Sequence, residues 1–348
     1  MVEIWFAIAA VTVTAYVVLD GFDLGAGALH LLVARTDTER RQVLAAIGPY
    51  WDGNEVWLLA TGGILFVAFP KVLASGLSGF YLAIMLVVWM LILRGLSIEF
   101  RSHVREPLWR AAWDTIFGLA STALCVFLGA ALGNLMRGLP IDTDGWFSLS
   151  LFTDFSAREP VGILDWYTVL VGLFALLAIA GHGGIYLAWK TDAAVHERAR
   201  RLARGLWIAV AALWIPVTLA TGFVNPGFGS ALATRPIAWA GALLALAGMA
   251  TIFAGLWRGR DGAAFTGSCA FLAGLLVATA AATWPVMLRA SGDPALSLTA
   301  HGTATDAAGL RIALRWWVVA FPLAIGYLVL LFRLHRGKAV AAAEGEGY

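Results

Sequence analysis

Nine long apolar stretches, near 4–32, 47–70, 72–100, 110–136, 161–189, 203–224, 236–257, 262–288 and 311–333, dominate this 348-residue chain. About 20 apolar residues at about 1.5 Å rise each cross the hydrocarbon core of a bilayer, and a backbone facing lipid must satisfy its own hydrogen bonds. The expected fold is therefore all-α: a polytopic transmembrane helical protein of about nine spans, arranged as two four-helix bundles plus one peripheral helix. A water-soluble fold is excluded, because 60% of the residues are hydrophobic and only 13% charged, against about 25% charged in soluble domains. One integral membrane domain is expected over 1–337, with a flexible cytoplasmic tail over 338–348.

Charge predicts the orientation. Seventeen of the 24 Lys and Arg fall on one side: Arg35, Arg40, Arg41, Arg94, Arg101, Arg105, Arg110, Lys190, Arg198, Arg200, Arg201, Arg204, Arg258, Arg260, Arg333, Arg336 and Lys338. The other side holds Lys71, Arg137, Arg158, Arg235, Arg289, Arg311 and Arg315. The positive-inside rule makes the first side cytoplasmic, with the N-terminus outside and the C-terminus inside. The net charge of +2 follows from this topology and implies no nucleic-acid partner. Met1-Val-Glu-Ile-Trp-Phe6 lacks a basic segment and leads into an apolar run too long for a signal peptide, so it is expected to stay as an anchor.

The most informative polar residues lie in the first two spans. Asp20 and Asp23 stand at i, i+3 and share one helix face. An ionised carboxylate in mid-membrane costs roughly 2.5–3.5 kcal/mol, so the pair must find partners, bind protons or line a wet cavity. Asp52 and Glu55 repeat the spacing in the second span, with Asn54 between them. The depths predicted by the topology place these acids together in the inner half, as a proton-uptake route requires. Two other readings stand beside that one: a hydrogen-bonded packing pair for Asp20 and Asp23, and interfacial acids favoured by the helix dipole for Asp52 and Glu55. Gly21, Gly25, Gly27 and Gly53 would let helix backbones approach closely. Most tryptophans, among them Trp51, Trp89, Trp109, Trp207 and Trp316, fall near span ends and read as an interfacial belt. Trp57 lies deeper and is the better candidate for lining a cofactor or a gas path.

Haem needs axial His, Met or Cys ligands aimed at one cavity. His103, His196, His301 and His335 fall in loops or at span ends, while His30 and His182 stand on non-consecutive spans. Scattered in this way, they predict that the chain alone binds no haem and no metal. Cys125 and Cys269 lie in apolar runs and read as small hydrophobes.

Several segments, in order, resemble one family. Asp20-Gly-Phe-Asp-Leu-Gly25, Asp37-Thr-Glu-Arg-Arg41, Pro49-Tyr-Trp-Asp-Gly-Asn-Glu-Val-Trp57, Ser78-Gly-Phe-Tyr81, Arg94-Gly-Leu-Ser-Ile-Glu-Phe-Arg101 and Gly133-Asn-Leu-Met-Arg-Gly-Leu-Pro140 are similar to subunit II of cytochrome bd-type quinol oxidases, including the cyanide-insensitive branch. Tyr186-Leu-Ala-Trp-Lys-Thr191 extends the likeness beyond residue 140. The resemblance implies a subunit of a respiratory ubiquinol or menaquinol oxidase in the bacterial cytoplasmic membrane that oxidises quinol and reduces dioxygen to water. It implies that haem b558, haem b595 and haem d sit in subunit I, with this chain not catalytic alone. It further implies that Asp52 brings protons from the cytoplasm, with Asp20, Asp23, Asn54 and Glu55 nearby, and that Trp57 lies on an oxygen route or at a quinone contact. Expected partners are the haem-bearing subunit I, a small single-span accessory subunit, lipids and quinone. The rival readings are a proton-coupled secondary transporter, which would also place carboxylates in the membrane, and an inert scaffold subunit.

Overall fold

Hydrophobic length dictates the architecture, and in the computed structural model, which describes residues 1–341, nearly every apolar run is a helix. The elements run α1 (Val2–Val33), α2 (Asp37–Ile47), α3 (Trp51–Ala68), α4 (Pro70–Gly79), α5 (Tyr81–Phe100), α6 (Pro107–Arg137), α7 (Trp166–Lys190), α8 (Ala193–Val224), α9 (Pro226–Thr234), α10 (Pro236–Arg258), α11 (Asp261–Thr283), β1 (Val286–Leu288), β2 (Leu298–Thr299), α12 (Ala300–Thr303) and α13 (Ala307–Leu334). Eight of these, α1, α5, α6, α7, α8, α10, α11 and α13, are long and apolar enough to cross a membrane. The ninth expected span is α3, whose 18 residues measure about 27 Å at 1.5 Å each; its hydropathy is diluted by Asp52, Asn54 and Glu55.

Helices α1, α3, α5 and α6 form one bundle, α7, α8, α10 and α11 a second, and α13 lies outside both. The bundles join where α7 packs against both α1 and α6. A side chain there would strike backbone: a Cβ on Gly183 would stand 2.5 Å from the Gly25 Cα. Close approach is thus realised at Gly25, and Gly27 meets Ser121 and Phe117 of α6. Gly53 departs from the expectation, since its nearest neighbour is the ring of Tyr327 at an ordinary 3.4 Å.

Other departures have local causes. The expected 47–70 span is α3, starting four residues later, and the connection before it is itself the helix α2, on which Thr36 and Glu39 form a reciprocal cap. The expected 72–100 span breaks into α4 and α5 at Phe80, which leaves helical geometry just after Gly79 packs on the Phe147 ring. Pro226 and Pro236 each open a helix at its first turn, so α9 forms where a connection was expected. Helix α8 starts ten residues before its apolar run, as a charged extension carrying Arg198, Arg200 and Arg201. Helix α11 stops at Thr283, short of 288, because the residue before Pro285 is extended. Trp207 is fully buried, edge-on to Phe271 with ring centroids 5.2 Å apart, rather than in an interfacial belt. Within the tail expected over 338–348, Lys338 Nζ donates to the carbonyls of Ala188, Trp189 and Thr191 at the end of α7, and Gln42 Nε2 to that of Ala339 at 3.4 Å; residues 342–348 lie outside the described residues.

Loops sort to two faces. Glu39 pairs with Arg198 at 2.6 Å on the α2 face. On the opposite face Thr305 N donates to Ala68 O, and Leu139 N to Arg289 O at 2.8 Å.

Candidate functional site: a graded carboxylate cluster between α1, α3 and α5

Asp20 and Asp23 leave α1 on the side facing α3 and α5, as their spacing predicts, and both are fully buried. Asn54, on the second turn of α3, is also buried; its Nδ2 donates to Asp23 Oδ2 at 2.7 Å and to Leu19 O at 3.3 Å. The cation at the centre is Arg94 of α5. Its Nη1 donates to Asp20 Oδ1 at 2.7 Å and its Nη2 to Glu55 Oε2 at 2.8 Å. The Arg94 side chain is 0% exposed and that of Glu55 25%. The sequence reading assigned Arg94 to the cytoplasmic charge excess; instead it sits inside the first bundle. Sixteen cations remain on that side, so the asymmetry survives.

Electrostatics explains the grouping. A guanidinium in a membrane interior is tolerated when opposite charge and matching hydrogen bonds surround it, and its fork can serve two acids at once. Asp23 differs from Asp20 and Glu55 in that its hydrogen-bond partner is neutral. Asp23 Oδ1, Asn54 Oδ1 and Arg94 Nε are buried and make no hydrogen bond within the chain, so the cluster is not closed on itself. Asp52 is exposed rather than buried with the others, one turn before Glu55 on the same helix. The acids therefore run from exposed (Asp52) through partly exposed (Glu55) to buried (Asp20 and Asp23). Deeper still, Trp57 packs edge-on against Phe321 of α13 at 6.2 Å, beside Tyr16 and Leu328.

A second charged cluster lay beyond the sequence reading. Buried Asp114 of α6 accepts from Arg101 Nε at 2.6 Å and Arg40 Nη1 at 3.0 Å, and lies 2.6 Å from His30 Nε2. Arg101 also reaches Asp37, which Arg41 and Arg110 flank. Burial works against the Asp37 charge, but these guanidiniums outweigh it and hold the carboxyl below its ordinary range. The signal for this cluster was the Asp114 charge within an apolar run.

His30 is thereby committed to Asp114. His182 is committed on both ring nitrogens: Nδ1 lies 2.7 Å from Ser268 Oγ, Nε2 lies 2.9 Å from Val18 O, and the ring stacks on Phe265 at 5.0 Å. His182 could take an iron only by giving up one of these partners, whereas His30 Nδ1 makes no hydrogen bond within the chain and its ring lies edge-on to Phe117 at 5.2 Å. Among the described residues, no group of three His, Cys, Asp or Glu is placed to hold a metal ion.

Comparison with known proteins gives a consistent result. The family model for cytochrome bd terminal oxidase subunit II matches residues 1–335. The probable cytochrome oxidase subunit 2 of Haemophilus influenzae is 28% identical, over 94% of this chain and 92% of that protein. Cytochrome bd-I ubiquinol oxidase subunit 2 of Escherichia coli is 35% identical, over 61% of this chain and 56% of that protein, so that match spans little more than half its length. Cytochrome bd ubiquinol oxidase subunit 2 of Bacillus subtilis is 33% identical over 58% of this chain and 57% of that protein. A solved structure of bd oxidase from Geobacillus thermodenitrificans contains a chain with the same fold, at a TM-score of 0.73 and 20% identity over 96% of this chain and 98% of that one.

Proposed function

Because this chain belongs to the cytochrome bd terminal oxidase subunit II family, we propose that within a quinol-oxidising complex it delivers cytoplasmic protons toward the oxygen-reducing site of a haem-bearing subunit I. The chain is a component of an oxidoreductase complex that contains haem, and an integral protein of the bacterial inner membrane. The comparisons support this reading and not the transporter. The finer assignment is that subunit I holds haem b558, haem b595 and haem d, and that this chain has no catalytic centre of its own. In support, both ring nitrogens of His182 are engaged elsewhere, and His30 is paired with Asp114 through Nε2. A small single-span subunit, lipids and quinone complete the expected partners. The orientation assigned to the chain, N-terminus outside and C-terminus in the cytoplasm, rests on the distribution of basic residues.

The observation that carries the proton reading is the graded burial of the acids. Asp52 stands at the mouth, where it exchanges with water. Glu55 lies one turn inward, held by Arg94, which also fixes Asp20. Asp23 is the acid in which a proton competes with no direct ion pair, and Asn54 links it to α3. Arg94 acts as a positioning residue, since it sets the separation of Asp20 and Glu55 without itself giving up a proton. Trp57, between these acids and α13, lines the apolar side and suits an oxygen route or a quinone contact.

The test is oxygen consumption per haem in the purified complex carrying Asp52→Asn or Asp23→Asn. Each change keeps size and removes the transferable proton. Haem content is expected to hold while turnover falls at least tenfold, as a barrier rise of about 1.4 kcal/mol gives. Wild-type turnover per haem in both variants would make these acids packing residues.

A further inference from the structure

On the face opposite α2, the loops 138–165 and 284–306, with the ends of α6, α7 and α8, border an open cavity of about 510 Å³, within the size range of small-molecule sites. We propose that this cavity binds the phosphodiester headgroup of an outer-leaflet phospholipid between Arg158 and Arg289. The side assignment rests on the topology given above; the chemistry rests on the cavity wall.

Three arginines line the wall, and one is already consumed. Arg137 is paired with Asp165, and also donates to Asn134 Oδ1 at 2.7 Å and Gly162 O at 2.8 Å. Arg289 is half-buried. Its Nη1 donates to the backbone oxygens of Arg137 and, at 3.4 Å, Val224. Burial alone pushes the Arg289 guanidinium below its ordinary range, with no carboxylate to offset the desolvation. Arg158 is exposed at the rim and donates its backbone N–H to Ser156 Oγ at 3.2 Å. The acid on this wall is Glu159, whose Oε1 accepts from Ser291 Oγ at 2.6 Å. Two guanidiniums against one carboxylate leave a charge of +1, which one monoanionic phosphodiester neutralises.

The surroundings point to a lipid as the source of that phosphate. Trp166 opens α7 and Phe223 stands one residue from the end of α8, with ring centroids 6.3 Å apart on the cavity wall. Phe223 is exposed, and so are Leu151, Phe152 and Phe155 on the loop that leads into the cavity. An aromatic at each of two span ends, beside apolar side chains on an outer loop, marks the headgroup level of a bilayer. A cation pair at that depth meets phosphate groups with their acyl chains directed along α7 and α8.

The experiment uses the whole oxidase complex, delipidated in detergent and titrated with dioleoylphosphatidylglycerol under native mass spectrometry. Wild type is expected to retain one more lipid than Arg158→Gln/Arg289→Gln at equal concentration, with at least a tenfold loss of affinity at that site. Glu159→Gln, which raises the wall charge to +2, is expected to tighten binding severalfold. Inorganic phosphate at the concentration of the lipid is expected to leave it in place; displacement would show a free-anion site and overturn the lipid assignment. If the double variant fails to assemble, Arg158→Gln and Glu159→Gln decide the matter, since Arg158 is exposed at the rim. Lipid retention unchanged from wild type in both overturns the proposal.

Discussion

Substituting Gly183→Ala tests whether the α1–α7 crossing holds the two bundles in register. The added Cβ would stand 2.3 Å from the Gly25 carbonyl carbon, against an ordinary limit of 3.4 Å, so the helices must part by about 1.1 Å at this point. The atoms in the way are backbone and cannot rotate aside, which places the cost near the upper end of the 1–3 kcal/mol typical of overpacking. Parting by that amount also lengthens the His182 Nε2 to Val18 O contact from 2.9 Å to about 4.0 Å, beyond hydrogen-bonding range, adding roughly 1 kcal/mol. A total of about 4 kcal/mol, at roughly 2–4 °C per kcal/mol, lowers the heating midpoint of the complex by about 8 °C or more. The assay follows retained haem absorbance on heating, with Gly62→Ala as the control because nothing lies within 4 Å of a Cβ there. A Gly183→Ala complex that melts with wild type would refute the rigid-crossing argument.

Arg94→Gln leaves Asp20 and Glu55 without their cation and should lower assembly by the equivalent of about 3–5 kcal/mol, as breaking a buried ion pair does; haem yield per membrane reads this, and Asp20→Asn in the same chain should recover part of it. Reporter fusions at Met1 and Tyr348 are expected on opposite sides of the membrane, and same-side signals would remove the depth assignment of the acids. Asp37 has a lowered folded-state pKa, so its contribution is complete above the usual carboxylate value of about 4 and is lost as pH falls through the folded value. The acid-induced fall in melting temperature should accordingly be shallower in Asp37→Asn than in wild type, and parallel curves would show that Asp37 adds no such pH dependence.

The spans were legible because lipid imposes a length that apolar runs display directly. The short helices were harder. α2 was announced by Thr36-Asp-Thr-Glu39, a capping box between two spans, yet a span-length window passes over eleven residues. α9 is apolar like the spans beside it, and only Pro226 and Pro236 mark it off. In the site, the pairing of Asp20 and Asp23 followed from spacing and their nearness to Asn54 from depth, whereas Arg94 did not, because an arginine near the end of an apolar run reads as a topology signal. The clue was Leu91-Ile-Leu93 before it and Gly95-Leu96 after it, which place it inside the span. Asp114 was hidden in the same way. The exposure of Asp52 depends on how α3 begins, which periodicity does not specify.

The density of contacts around Asp20-Gly-Phe-Asp-Leu-Gly-Ala-Gly27 explains how α1 holds the two buried acids of the proposed route. Asp20 and Asp23 face α5 and α3 through Arg94 and Asn54. Gly21 meets Ile179 of α7, and Gly25 the α7 backbone. Phe22 stacks on Tyr186 of the same helix at 4.1 Å, while Gly27 admits Ser121 and Phe117 of α6. Each face of two helical turns thus bears on a different neighbour, and α1 is wedged among α3, α5, α6 and α7. A wedge of this kind holds its acids at fixed distances from cations and amides on other helices, which proton transfer demands because it fails when donor and acceptor drift beyond hydrogen-bonding range. The glycines therefore serve the acids: they let α1 sit deep enough for Asp20 and Asp23 to reach partners that neither carboxylate could meet from the lipid-facing edge of a bundle.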